Sequence, residues 1–128
     1  MDTEKQIAVR ITMSAVPEFL ALVQGLADRL AETREFAESQ RLQLKQGIQQ
    51  ACRHLTAEPD DNPELSVDIS GYPDRVEIML ETEKGLETSE ADLYLLHELL
   101  DRVAVEENEG GQLRLTLVQY QTAPGRKS

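Results

Sequence analysis

The spacing of apolar residues along this chain switches between a period of two and a period near 3.6, and the order of those switches limits the fold more than any single residue does. "QIAVRITM" alternates Ile7, Val9, Ile11 and Met13 with Ala8, Arg10 and Thr12, the pattern of a strand covered on one face that ends near Met13. Ser14 is placed to cap a helix whose first turn holds Pro17 and Glu18, with Phe19, Val23, Leu26 and Leu30 at three- and four-residue spacing. Beyond the charged "AETRE", Leu44, Ile48, Ala51, Cys52 and Leu55 form the stripe of a second helix. Gly47 within it is unfavourable by about 1 kcal/mol against Ala, unless it marks close packing.

"AEPDDNPE" reads as a loop by its prolines and turn formers. Two strands follow, "LSVDIS" with Leu65, Val67 and Ile69 inward and "RVEIMLE" with Val76, Ile78 and Leu80 inward, joined by the turn residues "GYPD". "TSEADLYLLHELLDRV" predicts a third helix, capped by Thr88 or Ser89, with Leu93, Leu96, Leu100 and Val103 as its buried stripe. "VAVEENEGGQLRLTLVQY" then supplies two strands around a Gly-containing turn, with Leu113, Leu115 and Leu117 toward the core.

Strand, helix, helix, strand, strand, helix, strand, strand calls for an α+β fold: a two-layer sandwich of a mainly antiparallel sheet with three helices on one face. A chain of 128 residues is one domain, here 1–121, and 122–128 read as a flexible C-terminal tail. With two phenylalanines and no tryptophan, the core rests on aliphatic packing and offers no platform for stacking nucleobases.

Charge removes further classes. Asp and Glu number 24 against 13 Lys and Arg, a formal net charge of -11, which repels phosphate backbones and anionic lipid headgroups. No nucleic-acid or membrane partner is expected. There is neither a signal-like N-terminus nor a long apolar run, so the chain reads as cytoplasmic. Cys52 is the only cysteine, which rules out a disulfide within the chain and a thiolate metal cluster; it reads as a small buried hydrophobe. His97 reads as a surface side chain. The acidic runs "EPDDNPE" and "VEENEGG" lack the ligand spacing of a calcium loop and read as solvated.

Over nearly its whole length, the chain resembles the anti-sigma-factor serine kinases of the GHKL, or histidine-kinase-like, ATPase superfamily. The segments that carry the resemblance are "PEFLALVQGLADRLAE", "LKQGIQQACRHL", "RVEIMLETEKGL", "DLYLLHELLDRV" and "GGQLRLTLVQY". "LYLLHELLDRV" with "GGQLRLTL" is the best match, to the family's helix after the ATP lid and its closing hairpin. The resemblance implies a histidine-kinase-like ATPase fold, a homodimer, and binding to a sigma factor or an antagonist-type domain.

At the nucleotide positions the chain departs from the family. Where the family has Glu and Asn four apart on helix two, for base chemistry and Mg²⁺, the alignment gives Gln50 and His54. A carboxamide takes no proton at working pH, and imidazole is a poor ligand for a hard cation. The family's Asp-any-Gly-any-Gly box falls on "ETEKG", with Glu81 for the adenine-binding Asp, Glu83 for the first glycine and Gly85 for the second. Its phosphate-cradling Gly-any-Gly reads "EAD", with Glu90 and Asp92 at a helix N-terminus, where two carboxylates repel triphosphate. The lid before that helix is also short.

These substitutions imply a degenerate nucleotide site and a catalytically inactive regulatory domain that binds a protein partner without ATP, metal or other cofactor. The alternative is an active ATP- and Mg²⁺-dependent serine kinase with an atypical site, in which Glu81 and Gly85 hold adenine and another residue acts as base. Outside the family, a small-molecule sensor with a reshaped pocket is a third reading.

Overall fold

The structure, a computed structural model, describes residues 7–14, 16–53, 64–82, 90–107, 109 and 113–121. Its elements are β1 (Ile7–Ser14), α1 (Pro17–Thr33), α2 (Glu38–Ala51), β2 (Glu64–Tyr72), β3 (Arg75–Thr82), α3 (Glu90–Leu99), β4 (Arg102–Glu107) and β5 (Leu113–Tyr120). The five strands form one sheet in the order β1-β2-β3-β5-β4, antiparallel throughout. The expected α+β arrangement is therefore present, with every element of the period reading in its expected place in the order.

Register explains why one face of the sheet becomes the core. Val9 lies beside Ile69, Ile69 beside Ile78, Ile78 beside Leu117, and Leu117 beside Val103, so the alternating apolar residues of all five strands share a face. The helices cover that face: α1 lies on β2 and β3, α2 on β5 and α3 on β4. Phe19, Val23, Leu44, Ile48, Leu96 and Leu100 close the core from the helical side. Burying aliphatic side chains of this size contributes about 1.5–3 kcal/mol each before chain entropy is counted.

The opposite face carries paired polar groups. Arg10 donates to both oxygens of Asp68 at 2.6 and 2.9 Å, Arg75 to Glu77 at 2.7 Å and Arg114 to Glu106 at 3.0 Å. The Arg75 guanidinium also lies 3.9 Å from the Tyr72 ring centre.

Four local expectations are corrected. Ser14 caps no helix: it ends β1, and α1 is preceded by Val16 in extended conformation with no side-chain cap, its first turn shaped by Pro17. The stripe of α1 centres on Phe19, Val23, Ala27 and Ala31, with Leu26 and Leu30 only partly buried. The third helix stops at Leu99, and Val103 belongs to β4, because a β-branched alternating run pairs with β5 there. In "GYPD", Gly71 and Tyr72 extend β2, leaving Pro73 and Asp74 as the turn. Leu55, Thr88, Ser89 and the tail at 122–128 lie outside the described residues, as does the side chain of Leu113.

Two helix features have clear local causes. At the end of α1 the Phe36 N–H donates to Ala31 O at 3.0 Å and the Glu35 N–H to Glu32 O at 3.0 Å, a Schellman ending in which Glu35 takes φ 62°. A side chain occupies a position that favours glycine, held there by buried Phe36. In α2, a Cβ on Gly47 would stand 2.8 Å from Leu100 Cδ1, so the glycine marks the close approach of α3.

Candidate functional site

The candidate site is where the C-terminal half of α2 meets the start of α3. Gly47 lets the two helices come close, and Gln50, three residues on, is carried toward α3 on nearly the same side. The Gln50 Nε2 donates to Asp92 Oδ1 at 2.8 Å. Asp92 is 7% exposed although ionisable, and it sits in the first turn of α3, where the helix dipole favours a carboxylate. Glu90, in the same turn, is exposed. A neutral amide and a buried carboxylate thus brace the two helices.

Next to this brace, a cleft of about 340 Å³ is lined by Leu20, Gln46, Gln49, Gln50, Arg53 and Leu99. Its polar groups are carboxamides, which both donate and accept hydrogen bonds, and one guanidinium, which only donates. A second cleft, of about 420 Å³, runs between α1 and α2 along Asp28, Arg41, Leu42 and Lys45. There Arg41 grips both oxygens of Asp28 at 2.9 and 3.0 Å, and its guanidinium holds that carboxyl below the usual range against the opposing effect of burial.

Glu81 is not part of the site at α2 and α3. In the alternation of β3, Val76, Ile78, Leu80 and Thr82 face the helices, and Glu81 faces the other side, beside Ser66 of β2 and Arg114 of β5. It lies near enough to Arg10 to help raise that guanidinium's pKa, after the larger contributions of Asp68. At the end of β3 the residue directed into the protein is Thr82, which is 3% exposed, and its Oγ1 has no hydrogen-bond partner among the described residues. The period-2 phase set by Leu80 is the sequence signal that places Thr82 inward.

His54, Glu83 and Gly85 lie outside the described residues. His97 is exposed on α3. Cys52 is buried, and burial pushes its thiol up to about 12, so it remains protonated as a small apolar side chain. Among the described residues no three His, Cys, Asp or Glu side chains are grouped to hold a metal ion, and no helix is long and apolar enough to cross a membrane. In comparisons with known proteins, the chain matches no family model and no curated sequence.

Proposed function

We propose that this chain is a catalytically silent regulatory domain on a histidine-kinase-like ATPase scaffold, similar to an anti-sigma-factor serine kinase, that binds a protein partner without ATP. The observation that carries the reading is the Gln50–Asp92 hydrogen bond, which ties up the amide where a general base is expected and sets a carboxylate where a phosphate cradle is expected. An anion arriving at this end of α3 would meet Asp92 and exposed Glu90, and Coulomb repulsion in a partly buried site is severe.

Two of the described residues support a reading without Mg²⁺-nucleotide. Gln50 commits an amide N–H to Asp92, and Glu81, aligned with the adenine acceptor, faces away from the helical layer. No catalytic step is therefore assigned to them. A partner such as a sigma factor or an antagonist-type domain would present basic or apolar groups to a surface with net charge -11.

The test is turnover. Incubated with Mg²⁺-ATP, the purified protein is expected to release phosphate no faster than buffer and to phosphorylate no added sigma-factor antagonist domain. Phosphate transfer that disappears in Glu81→Ala would overturn the reading in favour of an atypical kinase.

A further inference from the structure

β1 stands apart from the rest of the sheet. Among the described elements, each of the other seven packs substantially against two or more neighbours, whereas β1 packs substantially only against β2. Ile7, Val9 and Met13 share the face that makes the core elsewhere, yet they remain 45%, 39% and 41% exposed, and only Ile11 is partly buried against the core. Among the described residues, β1 is held by its ladder to β2, the Arg10–Asp68 pair, the Thr12–Ser66 contact at 3.2 Å and the partial burial of Ile11. The other edge strand differs: β4 packs on α3 and carries Arg102, Glu106 and Glu107.

Hydrogen bonds and an exposed ion pair backed by less apolar burial than the inner strands have open at lower free energy, so β1 can leave as a unit while β2, β3 and β5 stay buried. We infer that β1 is a displaceable strand and that the edge of β2 it covers is where a protein partner docks, as an extended strand replacing β1. The inference rests on the partner-binding reading and names the partner's chemistry. Leu65, Val67 and Ile69 call for alternating apolar residues on the incoming strand, and Asp68 on the opposite face calls for an arginine or lysine between them. A basic, apolar strand also suits an acidic protein: β1 itself has one charge, Arg10, in a chain of net charge -11.

Two measurements on the full chain test this. In native-state hydrogen exchange, β1 amides bonded to β2 are expected to exchange by a sub-global opening, with protection at least about a hundredfold below that of β3 and β5. A labelled peptide of residues 6–14, QIAVRITMS, is then expected to bind at millimolar concentration, because it competes with a tethered strand. Its rate should become independent of peptide concentration, limited by β1 opening, and the same peptide carrying Arg10→Glu should fail to bind. Global-only exchange of β1, no peptide binding, or binding that leaves β1 fully protected would overturn the proposal. The last result would indicate addition to the outer edge of β1, as would strengthening of β1 protection with protein concentration. None of these outcomes depends on nucleotide, so failure here is separable from failure of the pseudoenzyme reading.

Discussion

Gln50 on α2 and Asp92 on α3, 42 residues apart in the chain, are joined by a 2.8 Å hydrogen bond in which the amide donates to a carboxylate that is almost fully buried. The bond makes the junction of the two helices a brace. Gln50→Ala takes one donor from a buried charge and is expected to destabilise the protein by about 1–3 kcal/mol in urea denaturation. Gln50→Glu is expected to do more harm at pH 7, where two carboxylates would face each other, and to recover stability relative to wild type as the pH falls toward 5. If Gln50→Glu matches wild type at both pH values, the brace is misassigned.

Glu35 closes α1 in a left-handed conformation, φ 62°, that a side chain adopts at a cost of about 1–2 kcal/mol. Glu35→Gly is expected to raise stability by about 1 kcal/mol, which in a domain of this size is a rise in Tm of a few degrees. The gain is read from thermal melts, and a fall in Tm would contradict the backbone argument.

Thr82 buries a hydroxyl with no partner among the described residues, so the isosteric change Thr82→Val removes a desolvated polar group and keeps the shape. Stability is expected to rise by about 1 kcal/mol. A loss of that size would mean that the hydroxyl is engaged.

Much of this fold is legible in the sequence, because strands covered on one face repeat every second residue. Leu65, Val67 and Ile69, and Val76, Ile78 and Leu80, all turn inward as their alternation requires. Boundaries were harder. Val103 sits at helical spacing from Leu96 and Leu100 but also begins an alternating run, and only pairing with β5 decides between them. The ending at Glu35 gives no glycine signal. At the site, neither spacing nor charge reveals the bond between Gln50 and Asp92, which stand on helices distant in the chain. The outward turn of Glu81 follows from the phase of β3, which the aligned motif obscured.

The paired aspartates predict an acid limb. Arg41 lowers the pKa of Asp28, and Arg10 lowers that of Asp68, chiefly through side-chain hydrogen bonds. Folded pKa values below the unfolded value, about 3.9, mean that each pair's stabilisation is complete above that pH and is lost as pH falls through the folded value. The double variant Asp28→Asn, Asp68→Asn is expected to be less stable at pH 6, with the difference shrinking below pH 4. A difference that stays constant down to pH 2 would show that neither pair titrates with folding.

The most direct test of the pseudoenzyme account is a calorimetric titration of the protein with Mg²⁺-ATP, run beside a magnesium-free control. The account predicts no binding heat and no thermal stabilisation up to millimolar nucleotide. Saturable micromolar binding that requires Mg²⁺ would contradict it, and with it the roles given to Gln50 and Asp92.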